Sequence, residues 1–132
     1  MKENQIYSQI AGILLRILPV ALLVAYSQII VKYRVSKFNY DQFEQGALWI
    51  KILTYINDPW ILSGYVAALF ASIIWLFVVT KMPLVLAFPI YIGVTFVLVI
   101  LGGAIFLHEG LSSSKVVAAI MIIGGIAIGI KN

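Results

Sequence analysis

Across residues 60–107 a single charged side chain, Lys81, interrupts an otherwise apolar run. A helix needs roughly 20 apolar residues to cross about 30 Å of hydrocarbon. The run is therefore long enough for two crossings joined by a short basic turn. Further apolar segments lie on either side of it, so the chain reads as four spans, at about residues 10–31, 60–79, 83–107 and 113–130. The first contains one charge, Arg16, the second and third contain none, and the fourth is the shortest. The expected class is an all-α integral membrane protein, one four-helix domain over residues 1–132, with both termini on the same side.

Composition supports that class. Of 132 residues, 63% are hydrophobic and 11% charged, and the mean hydropathy is +1.08. An ordinary soluble domain is about half apolar and about a quarter charged. A body this small has no interior large enough for the excess, so lipid must solvate much of it. The absence of cysteine excludes disulfides and thiolate chemistry. The net charge of +4 fits basic residues at lipid headgroups and gives no reason to expect nucleic acid. The first apolar run is too long for a signal peptide, and no small-residue cleavage site follows it.

Local chemistry marks the boundaries. Asn57-Asp58-Pro59 offers an N-cap followed by proline at a first helical position, where its missing N–H costs little. Thr80-Lys81-Met82-Pro83 is a tight connection, so the helices on either side should be antiparallel neighbours. Gly110 suits a helix C-terminus, and residues 112–114, all serine, can cap the last helix. The long connection, residues 33–58, holds Phe43, Ala47, Ile50 and Tyr55 at near-helical spacing, with Trp49, Ile52 and Leu53 beside them. It reads as a short interfacial helix lying in the headgroups, in contact with membrane lipids. Basic residues are nearly balanced between the two sides, Lys2, Lys81 and Lys131 against Arg34, Lys37, Lys51 and Lys115, so orientation is weakly specified.

Polar groups at membrane depth are expensive and usually functional. Here they are Arg16, Gln28 and Lys32 in or at the end of the first span, with His108 and Glu109 at the far end of the third. Gln28 and Lys32 are four residues apart and project from one helix face. No aspartate or glutamate lies inside any span, whereas a proton-coupled exporter of organic cations would need one. Buried charge that is purely cationic fits an anionic ligand such as a phosphate. Lys32, Gln28, Arg16 and Glu109 are the substrate-binding candidates, set against snorkelling for the two cations and a plain interhelical hydrogen bond for Gln28. Gly125 and Gly129 form a GxxxG, which permits close backbone approach and marks a candidate dimer face; Gly102 and Gly103 allow the same on the third span. Pro19 and Pro89 are interior prolines, expected to kink their helices. No nucleophile–base pair or metal-ligand cluster is visible, which argues against an enzyme and gives no cofactor or metal to expect.

The run WLFVVTKMPLVLAFPIYIGVTFVLVILGGAIFLHEGL, residues 75–111, resembles the second-to-third helix region of the drug/metabolite transporter superfamily. The shared features are Pro83, the Leu-Ala-Phe-Pro of residues 86–89, and the Phe-Leu-His-Glu of residues 106–109. SQIIVK, residues 27–32, is similar to the small-Gln-xxx-Lys signature of the small paired subunits that flip undecaprenyl-phosphate aminoarabinose. Four-helix multidrug exporters of the superfamily carry a membrane-embedded glutamate about eight residues before a similar lysine. That position here is Val24, which argues against a multidrug activity. The first loop is also longer than in those exporters, and His108 stands where a small residue is usual.

The resemblance implies a bacterial inner-membrane flippase, or flippase subunit, for a polyprenyl-phosphate-linked sugar, working as a homodimer or as a heterodimer with a second four-helix subunit. The residues agree on two points: four helices are too few to enclose a polar path, and the buried charge is cationic. The alternatives are a small exporter of another amphiphilic or anionic metabolite, and a non-transporting membrane subunit of a glycosyltransferase system.

Overall fold

A computed structural model describes the backbone of residues 2–38 and 47–131, and the side chains of residue 8 and of residues 11–38 and 47–129. Among the described residues the chain is all-helical: α1 Lys2–Val35, α2 Leu48–Asn57, α3 Pro59–Val79, α4 Leu84–Phe106 and α5 Ser113–Lys131. Three segments, Ala11–Val35, Pro59–Val79 and Leu84–Phe106, are long and apolar enough to cross a membrane. The apolar part of α5, Ser113–Gly129, is shorter. Large apolar side chains stand exposed along all five helices, among them Leu15, Trp49, Phe77, Val85, Ile105 and Met121. Only an apolar solvent matches such a surface, and the chain is a multi-pass membrane protein.

The helices begin and end where side-chain chemistry allows. Asp58 caps α3: its carboxylate accepts hydrogen bonds from the backbone N–H groups of Trp60 and Ile61, and Pro59 occupies the first turn. Pro83 opens α4, its carbonyl accepting from Leu86 and Ala87. The Ser112 carbonyl accepts from Lys115 and Val116 at the start of α5. At the end of α4 the structure departs from expectation. The left-handed residue is His108, with φ 51°, and Gly110 has no positive φ. The Gly103 carbonyl closes that end, accepting from both Leu107 and Glu109. Both interior prolines lie within continuous helices, Pro19 in α1 and Pro89 in α4.

Packing does not follow chain order alone. The tight connection over residues 80–83 is present, yet α3 and α4 meet each other sparsely, chiefly where Trp75 contacts Phe88 and Tyr91. Instead α1 packs extensively against both, and α5 lies against α4. The two helices are neighbours through that turn, but each packs more extensively on α1, which supplies the small, buried positions both need. Its Ile17, Val20, Ala21 and Ala25 form the core with Ala67, Ala71 and Val78 of α3 and with Ala87 and Ile90 of α4. So many alanines let backbones approach closely, which drives association where lipid competes for apolar contact. Glycines complete the seams. A Cβ on Gly64 would press on Ile30 and Val31, one on Gly93 would collide with Ile126, and one on Gly102 with Ile29.

Candidate functional site

The C-terminal end of α1 carries the candidate chemistry. Arg34, on the last turn, reaches across to Asp58 ahead of α3. Its Nε lies 3.1 Å from Oδ2 and 3.3 Å from Oδ1, and its Nη2 also donates to Oδ2. Such a fork holds both position and orientation. Asp58 is buried, and the guanidinium donating to it holds its carboxyl below the usual carboxylate range, helped by the Ile61 and Trp60 N–H groups and opposed by burial. The pair ties the end of α1 to the start of α3 and so fixes the frame in which the neighbouring side chains stand. The sequence marked Asp58 as a cap and Arg34 only as a loop charge. No local pattern joins the two, which stand 24 positions apart.

Within that frame Gln28 and Lys32 are exposed, and among the described residues neither has a side-chain partner. Tyr33 follows, with Lys37 Nζ 4.3 Å from its ring centroid, a cation over an aromatic face. Arg34 lies more loosely against Phe38, 6.0 Å from the ring centroid. Two turns deeper, Tyr26 and Ser63 share a hydroxyl–hydroxyl bond of 2.9 Å between α1 and α3.

Glu109 belongs to the same end of the bundle, since α4 runs from the Pro83 turn back to it. The carboxylate is exposed, and its Oε2 lies 3.4 Å from where a Cβ on Gly103 would stand. Arg16 does not join this group. Sixteen residues of α1 separate it from Lys32, about 24 Å along the axis. It lines a hollow of about 360 Å³ at the opposite end, with Lys81, Gly12 and Met82. The four substrate-binding candidates thus divide into Gln28, Lys32 and Glu109 at one end and Arg16 at the other.

Val24, which stands where multidrug exporters carry glutamate, lines a cavity of about 210 Å³ with Val20, Ser72, Trp75, Phe88 and Tyr91. Apart from Ser72 its walls are apolar and aromatic, and they contain no carboxylate. A larger groove of about 670 Å³ runs between α1 and α4, walled by Leu22, Tyr26, Ile29, Tyr33, Leu101 and Ile105 among others. Among the described residues, His, Asp and Glu side chains nowhere gather in a group able to hold a metal ion.

The remaining candidates lie away from the site. Gly125 and Gly129 face open space, so the GxxxG makes no seam within the chain. The seams use Gly64, Gly93 and Gly102 instead. A helix is present in the first loop as α2, with the expected Trp49, Ile50, Ile52 and Leu53 all exposed. Leu48, Trp49, Ile52, Leu53 and Ile56 form an exposed apolar stripe, whereas Tyr55 turns in to pack edge-on against Phe38. Phe43 lies outside the described residues.

The chain is similar to the "probable 4-amino-4-deoxy-L-arabinose-phosphoundecaprenol flippase subunit ArnE" of Aeromonas salmonicida. The two are 28% identical over 111 residues, which spans 83% of this chain and 90% of the relative. A shorter similarity, 28% over 57 residues, links it to the subunit of the same name from Aeromonas hydrophila, covering 43% of this chain and 49% of that one. No family model matches the chain. No solved structure matches it.

Proposed function

We propose that the chain is one subunit of a flippase for a sugar carried on a polyprenyl phosphate, in a bacterial inner membrane. Similarity over nearly the whole length of a protein named as a phosphoundecaprenol flippase subunit carries the reading. The site supports it independently. Lys32 and Gln28, unpaired among the described residues at the end of α1, offer an ammonium and an amide to a phosphate that sheds water as it leaves the headgroup layer. Arg16 and Lys81 place cations at the opposite end of the bundle, where the same phosphate would arrive. A flippase needs such groups on both faces. Glu109, beside the Lys32 end, offers a carboxylate to the sugar. Drug/metabolite transporter ancestry, suggested by the motifs between Trp75 and Glu109, is part of the same reading.

In this reading α5 is the fourth span and α2 lies in the interface with its apolar stripe in lipid. Two four-helix subunits together would enclose the path that one cannot, and the open Gly125 and Gly129 face suits such a contact, with Pro89 bending α4. The protein moves its substrate without chemical change and needs no catalytic residue. Proteoliposomes that hold this chain, alone or with a second four-helix subunit, should move a polyprenyl-phosphate sugar to the opposite leaflet. Movement no faster than in empty liposomes under both conditions would refute the proposal.

A further inference from the structure

The groove between α1 and α4 holds about 670 Å³, and its lining is almost wholly apolar. It begins at Leu22 and Leu98 and ends at Tyr33 and Phe106. Eleven residues separate Leu22 from Tyr33, about 16 Å of helix, close to half of the roughly 30 Å hydrocarbon layer. The groove therefore follows one leaflet from the bilayer centre to its surface. Gly102 makes its floor: without a side chain there, Ile29 sits directly against the α4 backbone.

The mouth differs from the rest. Tyr33, its last α1 residue, lies under the Lys37 ammonium at 4.3 Å. Lys32 stands three residues beyond Ile29, hence on the face of α1 that walls the groove. An apolar lane one leaflet long, opening beside two cations, complements a chain-shaped molecule with an anionic head. We infer that this groove seats the isoprenoid tail of the substrate, with its phosphate held at the Lys32 end. The inference rests on the flippase reading and adds to it a second recognition element. The phosphate would be read by Lys32 and the tail by the α1–α4 groove. A short-chain phosphate would then satisfy only half of the site.

The test is retention of added lipid by the full chain in native mass spectrometry from detergent. The probes are undecaprenyl phosphate, geranyl phosphate, undecaprenol and phosphatidylglycerol. Leu101→Trp and, separately, Ile105→Trp fill the groove from exposed positions that tolerate bulk, and Leu69→Trp on the outer face of α3 is the control. Each variant is first matched to wild type in thermal stability. The groove variants should lower undecaprenyl phosphate retention at least tenfold, leave geranyl phosphate unchanged and spare dimers; Leu69→Trp should change none of these.

Undecaprenyl phosphate unaffected by either groove variant, yet lost on Lys32→Ala, would overturn the tail site and leave the phosphate reading standing. Phosphatidylglycerol held and displaced equally well would make the groove an ordinary lipid seat and overturn it too. Loss of dimers in both groove variants would make the face an interface between copies, which again overturns the tail site. Retention of neither undecaprenyl phosphate nor geranyl phosphate by the wild type would sink both readings together.

Discussion

Asp58 shows how much one residue can hold at a helix start. Its carboxylate caps α3 through Trp60 and Ile61 and accepts the Arg34 fork from the end of α1. Because Arg34 and those N–H groups hold its carboxyl below the usual range, the folded state prefers the ionised form. The sign follows directly. The stabilisation is complete at neutral pH and disappears as pH falls through the lowered folded-state value. Thermal melts in detergent should show the wild type losing stability below the usual carboxylate range, while Asp58→Asn starts lower and lacks that step. Parallel wild-type and Asp58→Asn profiles would mean the pair contributes nothing. The cap half of this arrangement was readable in Asn57-Asp58-Pro59, since capping is local chemistry. The ion-pair half was not, because it joins residues 24 apart through a fold that local patterns do not encode.

At the scale of the element, the sequence marked helices well and faces poorly. Apolar run lengths located α3, α4 and α5 closely, because a span must be long and apolar whatever it packs against, whereas α1 starts at Lys2, eight residues before its apolar run. Which side of a helix meets which neighbour depends on partners, and in a lipid-solvated chain both sides are apolar. Of the two small-residue motifs visible, Gly102 of Gly102-Gly103 does pack closely, against Ile29, whereas the GxxxG of α5 does not, and Gly93 is the glycine that Ile126 of α5 packs against. Gly93→Leu should destabilise the single chain by about 1–3 kcal/mol, the usual range for overpacking. Gly125→Leu with Gly129→Leu should leave the melt unchanged and weaken dimers on cross-linking. The reverse pattern would exchange the roles of the two glycine sets. For α2, the exposed stripe of Leu48, Trp49, Ile52, Leu53 and Ile56 should lie in lipid. Trp49 fluorescence, read in a variant with Trp60 and Trp75 replaced by phenylalanine, should be quenched by lipids brominated at shallow depth. Quenching by aqueous agents alone would place the helix in water.

For the whole molecule, the site candidates divided because helix geometry separates residues that composition lists together. Arg16 and Lys32 share a helix and a charge but stand about 24 Å apart. Gln28, Lys32 and Glu109 share one end of the bundle only because α4 runs back to the end that α1 leaves, a consequence of the order of the helices. If α5 completes those spans, cysteines at Ser36 and Ser112 should be labelled from one side of the membrane and one at Thr80 from the other, together with one at Lys131. Labelling of the Lys131 position from the Ser112 side would remove the fourth crossing.

The phosphate reading turns on Lys32, and its replacement in the proteoliposome translocation assay is the most direct measurement of it. A charge-assisted hydrogen bond in a partly dry site is worth roughly 1.5–3 kcal/mol, about ten- to a hundredfold in affinity. Lys32→Ala should therefore abolish or cut transport of a polyprenyl-phosphate sugar by that order, with expression and dimers intact. Lys32→Arg should be impaired, since a planar fork replaces a compact ammonium, and Lys32→Glu should be worse than alanine. Wild-type transport by Lys32→Ala, with arginine fully tolerated, would mean that Lys32 merely snorkels to the surface and that the phosphate is held elsewhere.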